Sequence, residues 1–163
     1  MKIGIIVHSQ SGHTAAFAKA IAAKCSEHGH DVDTILLMTT GLSRPSSRRF
    51  TISNAPGDTE LAQFDAVLVG GPVWAFTASP VVMKYLASIG TLKGKKAIAF
   101  VTMGLPWKAF GASRALYAMT RKLEASYAEA LSGEALHFFF GKSNKKQLDA
   151  AVERICARII SPA

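Results

Sequence analysis

The first twenty-one residues leave few folds open to this chain. Lys2–Val7 (Lys-Ile-Gly-Ile-Ile-Val) is an apolar run of strand length, and a helical pattern starts close to Thr14. The residues between, His8-Ser9-Gln10-Ser11-Gly12-His13, are polar or small. A buried strand that turns sharply into a helix aims the helix's first free N–H groups, and the positive end of its dipole, at one point. The hydroxyls of Ser9, Ser11 and Thr14 beside those groups, with Gly12 letting the backbone come close, make a cradle for a phosphate that needs no lysine.

The rest of the chain repeats the alternation. A first helix spans Gly12–His28, followed by strands over Asp31–Met38 and Asp65–Gly70 and a helix over Ser79–Ile89. Then come a strand over Lys96–Met103, a long helix from Ala112 to Leu131, a strand over Glu134–Phe140 and a last helix over Asn144–Ile160. The first, third and fourth strands are continuous apolar runs, as strands covered by helices on both faces are. The second mixes polar and apolar positions, as an outer strand does. This alternation predicts a parallel, doubly wound α/β sheet with right-handed crossovers. The segment Thr39–Gly57, rich in Ser, Pro, Gly and Arg, breaks the rhythm and reads as a solvated basic loop, with the crossover helix reduced to Asp58–Phe64.

A chain of 163 residues, 49% of them apolar, fits one globular domain with a proper core. The apolar run after Met1-Lys2 is too short for a signal peptide, and the uncharged stretch Ala66–Met83 is punctuated by Gly70, Gly71, Pro72 and Pro80. The expectation is a soluble, cytoplasmic protein that does not span a membrane. Cys25 and Cys156 lie far apart in sequence, continue apolar helix faces and have no metal or redox spacing, so both read as core residues.

In an open parallel sheet, ligands bind at the carboxyl ends of the strands where the strand order reverses. After the third strand comes Gly71-Pro72-Val73-Trp74-Ala75-Phe76-Thr77-Ala78-Ser79-Pro80; after the fourth comes Thr102-Met103-Gly104-Leu105-Pro106-Trp107. One tryptophan on such a loop would be read as a roof over the core. Two on adjacent loops beside a phosphate cradle favour a flat ring held against them.

These three loops together resemble the flavodoxin-like flavoproteins. His8-Ser9-Gln10-Ser11-Gly12-His13-Thr14 is similar to their first phosphate loop, Ser/Thr-x-Ser/Thr-Gly-x-Thr. Gly71-Pro72-Val73-Trp74 and the following Ser79-Pro80 look like their second loop, and Thr102-Met103-Gly104 like the start of the third. The resemblance covers essentially the whole chain. It implies a three-layer fold with a five-stranded parallel sheet in the order 2-1-3-4-5, and non-covalently bound FMN. The phosphate would sit on Ser9, Gln10, Ser11, Gly12, His13 and Thr14. The isoalloxazine would lie against Pro72, Val73, Trp74, Ala75 and Phe76 on one side and Thr102, Met103, Gly104 and Trp107 on the other. The Gly-His-Thr sequence of the first loop is closer to the quinone or FMN reductase branch than to the small electron carriers.

Charge points the same way. The chain carries a formal net charge of +8, whereas the carriers are as a family strongly acidic. No Asp or Glu occurs between Asp65 and Glu124, nor from Met1 to Ser26, while Lys84, Lys93, Lys95, Lys96, Lys108, Arg114, Arg121 and Lys122 do. Fully reduced FMN is anionic, and a carboxylate several ångströms away would disfavour it by roughly 1–4 kcal/mol. Without that penalty two-electron chemistry is favoured. The expectation is an NAD(P)H-dependent reductase of quinones or similar flat acceptors, in which donor and acceptor occupy the same place over the ring in turn. The alternative is a carrier exchanging electrons with protein partners, which this basic surface would require to be acidic.

No general acid stands out. His13 reads as a hydrogen bonder to the cofactor, His8 as closing the loop and His137 as structural. Arg44, Arg48 and Arg49 could pair with the 2′-phosphate of NADPH, but a solvated loop explains them equally well. A receiver domain is excluded because its aspartate positions hold His8-Ser9 and Gly70-Gly71. A Walker-type site is excluded by its missing motif. The spread of lysines without a recognised module argues against specific nucleic-acid binding. A homodimer would be one way to complete a cleft over the ring.

Overall fold

Strand β1 (Lys2–Val7) is apolar at every position after its first residue, and it becomes the centre of the sheet. It pairs in parallel with β2 (Asp31–Leu36) on one side and β5 (Ala66–Trp74) on the other. Strand β5 pairs with β7 (Lys96–Met103), and β7 with β8 (Glu129–Phe139), all in parallel. The five parallel strands run β2-β1-β5-β7-β8, the order 2-1-3-4-5 of a doubly wound sheet. Short antiparallel additions cap two of them: β6 (Thr77–Ala78) folds back on β5 and β9 (Lys142–Ser143) on β8. The structure is a computed structural model, and it describes residues 1–41, 49–104, 111–139 and 142–161.

Alternation along the strands divides the core. Ile3, Ile5 and Val7 of β1, Leu68 of β5 and Ile98 and Phe100 of β7 face α1 (His13–Glu27) and α5 (Lys145–Ile160), meeting Phe17, Ile21, Ile155 and Ile159. Ile6, Val67, Val69, Ala99 and Val101 point the other way, toward Val81 and Tyr85 of α3 (Pro80–Ser88) and Met119 and Leu123 of α4 (Ala112–Ala125). Apolar burial on both faces of a parallel sheet is what makes its strands read as unbroken hydrophobic runs. Strand β2, at the edge, is largely exposed. Among the described residues no helix is long and apolar enough to cross a membrane.

Three boundaries differ from the sequence reading. Strand β5 does not stop at Gly70 but runs on to Trp74, because Gly71 and Pro72 stay in register with Val101 and Thr102 of β7. Helix α4 ends at Ala125, not Leu131: Ser126 caps it and Tyr127 takes φ 63. The Glu129-Ala130-Leu131 segment, composed of good helix formers, instead joins β8, where it pairs with Lys96-Ala97-Ile98. The exposed edge of β7 overrides local propensity here. Within the Thr39–Gly57 segment, β3 (Thr39–Gly41) and β4 (Phe50–Ile52) form an antiparallel ribbon rather than a structureless loop, with Phe50 buried. Helix α2 (Asp58–Ala62) follows. Arg44 and Arg48 lie outside the described residues.

Candidate functional site

The chain leaves β1 for β2 on one side and then crosses to β5 on the other, so the strand order reverses between β1 and β5. At their carboxyl ends His8 extends the pairing by one bond, its N–H donating to Gly70 O at 3.0 Å. The chain then turns through Ser9–Gly12 into α1. Gly12 takes φ 85, a left-handed conformation that a β-carbon would strain, and serves as N-cap without offering a side chain. The first turn of α1 contains no acid and receives no side-chain cap, so its N–H groups stay available to an anion. Ser9 Oγ is buried without a hydrogen-bond partner among the described residues. A buried hydroxyl of this kind is normally satisfied, and an oxyanion at the helix N-terminus would satisfy it. Ser11 Oγ lies 3.0 Å from His13 Nδ1. Thr14 is turned inward, its Oγ1 2.7 Å from Thr102 Oγ1, so these hydroxyls tie α1 to the end of β7.

The second wall is the β5–β6 hairpin. Ala75 and Phe76 turn it with φ 44 and 64, and Phe76 is exposed. Trp74 therefore stands at a strand end rather than on a free loop. Its ring meets His8 edge-on, with centroids 5.3 Å apart and planes at 84°. His8 is buried, its Nδ1 lies 2.8 Å from Ser79 Oγ, and that oxygen in turn accepts from Val82 N–H in the first turn of α3. Burial lowers the His8 pKa, favouring the neutral ring. The hairpin rests on the start of α4, where Gly111 has φ 107 and an added β-carbon would fall 2.6 Å from Phe76 Cα.

Between these walls opens a cavity of about 420 Å³, lined by Ser11, His13, Pro72, Val73, Trp74, Thr102, Met103, Gly104 and Phe138. That volume lies within the usual range for cofactor sites. The three stretches singled out in the sequence thus converge, and no carboxylate is among the described lining residues. Ser9, Gln10, Gly12 and Thr14 form the adjoining turn, and Ala75 and Phe76 the hairpin tip, outside the lining itself. Trp107 lies outside the described residues.

Phe138 is a wall residue that the sequence reading missed, its ring 4.5 Å from that of His13. It was hidden because β8 outruns its partner: Met103 at the end of β7 pairs with His137, and Phe138 lies one step beyond. Ser79, placed with Pro80 in the second loop by the sequence but not among the site residues, caps α3 and holds His8. His137 faces a different cavity, with Lys146, Gln147 and Arg154.

The fold is that of the flavodoxins. The chain superimposes on oxidised flavodoxin 1 from Bacillus cereus with a TM-score of 0.72 at 21% identity, covering 98% of this chain and 97% of that one. Flavodoxin from Streptococcus pneumoniae TIGR4 gives 0.71 at 16% identity with the same coverage. Flavodoxin 2 from Bacillus cereus gives 0.68 at 18%, covering 96% and 97%. No family model and no curated protein sequence matches the chain.

Proposed function

We propose that this chain binds FMN in the cavity between Ser11, Trp74 and Met103 and acts as an electron carrier between protein partners. The observation that carries the reading is the convergence of an uncapped helix N-terminus and a buried, unpartnered Ser9 hydroxyl with an aromatic-walled cavity at the point of strand reversal. The N–H groups of the first turn of α1, with Ser9 and Ser11, would hold the phosphate. Pro72, Val73, Trp74 and Phe138 would flank the ring. FMN when bound supplies the redox chemistry; the chain's own residues position it and exclude water from one side. Likeness to flavodoxins over nearly the full length favours the carrier reading over a reductase.

The partner's contact face is acidic. Helices α1, α3, α4 and α5 all begin at the carboxyl edge of the sheet, and none has an acid in its first turn. Arg114, Lys145 and Lys146 stand exposed in the first turns of α4 and α5. Cations there oppose the helix dipole by about 0.3–1 kcal/mol each. A positive rim kept against that cost suits steering toward a negative surface.

A second reading rests on the acid-free lining, which eases a second electron onto the ring: an NAD(P)H-dependent quinone reductase. The deciding experiment loads the purified protein with FMN and follows quenching of tryptophan fluorescence. Stoichiometric binding, weakened at least tenfold by Ser9→Ala, is expected; no binding at saturating FMN overturns both readings. The loaded protein should exchange electrons with an acidic redox protein at a rate that falls with salt. It should not turn over NADH or NADPH with a quinone faster than free FMN does. Fast turnover would establish the reductase.

A further inference from the structure

The two cysteines, 131 positions apart in the chain, meet inside the fold. Cys25 lies near the end of α1 and Cys156 in the second half of α5, and their sulfurs are 2.9 Å apart. Both are buried, at 0% and 1% exposure, in the layer that α1 and α5 form on one face of the sheet. At their rim Lys24 Nζ bridges the same two helices to Glu153 Oε1 at 2.7 Å. These are the only cysteines of the chain.

We propose that Cys25 and Cys156 are a modification site: a reversible intramolecular disulfide that staples α1 to α5, formed by a peroxide and opened by a dithiol. A disulfide needs its sulfurs at about 2.0 Å. The pair is therefore within a small side-chain rotation of bonding, and the ion pair between neighbouring residues already fixes the helices against each other. The hydrogen bond with Cys156 lowers the pKa of Cys25, and the same bond together with burial raises that of Cys156. With the Cys25 thiol oxidised first, Cys156 is the resolving thiol, and at a separation of 2.9 Å the two roles are interchangeable. The Cys25 sulfur attacks one peroxide oxygen, the O–O bond breaks and water leaves, giving a sulfenic acid. The Cys156 sulfur then attacks the Cys25 sulfur, the S–O bond breaks, and the hydroxyl departs as a second water with the Cys156 proton. The two sulfurs lose two electrons in all, and the peroxide gains them.

The device is independent of the cofactor site. Cys25 lies twelve positions beyond His13 on α1, a distance of roughly 18 Å along the helix axis. Its effect falls on stability, because the bond closes a loop of most of the chain and so restricts the unfolded state.

The test treats the purified protein with hydrogen peroxide, quenches with catalase, alkylates in denaturant and weighs the product. The expected result is no alkylation and a mass lower by two hydrogens. The melting temperature should rise by about 5–15 °C and return on adding dithiothreitol. Two alkylatable thiols at full exposure to peroxide, oxygen adducts without cross-link, or only intermolecular dimers would overturn the proposal. Cys156→Ser and Cys25→Ala should each melt close to the reduced protein and gain nothing from peroxide. A rise in either variant would also overturn it.

Discussion

His8 Nδ1 lies 2.8 Å from Ser79 Oγ, a buried contact that joins the end of β1 to the cap of α3. The same imidazole presses its neighbour Trp74 from the side. One residue thus holds together the turn that enters α1 and the hairpin that forms the opposite wall of the cavity.

Protonating His8 should loosen that junction. Burial sets its folded pKa below the ordinary histidine value, so the unfolded chain binds the proton more readily. The neutral ring's contribution is fully present above the unfolded pKa, about 6.5, and is lost as pH falls below it toward the folded pKa. Denaturant unfolding between pH 7.5 and 5 should show declining stability in the native sequence. His8→Gln, which retains a hydrogen-bonding side chain and cannot titrate, should flatten that decline. Equal slopes for the two proteins would refute the assignment.

The Thr14–Thr102 pair invites a double-mutant cycle. Thr14→Val or Thr102→Val alone leaves the other buried hydroxyl without its partner, at about 1–3 kcal/mol. Replacing both removes the orphan, so the double variant should be no less stable than the worse single one. Urea midpoints for the four proteins measure the coupling. Strict additivity would show that the hydroxyls do not depend on each other.

How much of this was legible depends on whether the signal was local. Lys2–Val7 and the turn after it could be read because an apolar run, a glycine and three hydroxyls carry their own instructions. The strand order followed from alternation and the family resemblance. Where partners decide, the sequence was silent. Glu129–Leu131 reads as helix and becomes strand because β7 offers an open edge, and Trp74 reads as loop because Gly71 and Pro72 look like punctuation. Cys25 and Cys156 were rightly placed on apolar helix faces, yet nothing local says that those faces meet.

Gly111 and Gly12 separate two costs of substitution. Both have positive φ, at 107 and 85, but a β-carbon on Gly12 meets nothing within 4 Å whereas one on Gly111 strikes the Phe76 backbone. Gly12→Ala should cost the protein about 1–2 kcal/mol from backbone strain alone. Gly111→Ala adds overpacking and should cost about 2–4 kcal/mol. It should also shift Trp74 fluorescence, since the hairpin that carries Trp74 must move. An unchanged emission spectrum would show that the hairpin does not rest on α4 in solution.

Glu134 supplies the acid-side counterpart of His8. Its carboxylate is nearly buried and receives Arg154 Nε at 2.8 Å, Arg154 Nη2 at 2.9 Å and Arg158 Nη1 at 2.7 Å. Burial alone would raise its pKa, but the two guanidiniums overcome that and hold it below the ordinary glutamate value. Arg154 and Arg158 are one helical turn apart on α5, and Glu134 is where β8 resumes register with β7 after Ser132 and Gly133 oppose Ala99. The triad therefore clamps α5 over the irregular part of the sheet. Because the folded pKa is depressed, its contribution is present above the unfolded value, about 4.3, and disappears as pH falls through the folded one. Glu134→Gln should cost about 2 kcal/mol at pH 7, less than a fully buried pair because Arg154 is half exposed. The gap between variant and native protein should close below about pH 4, well under the range in which His8 acts. A gap of the same size at pH 7 and pH 3 would mean that shape, not charge, makes Glu134 matter.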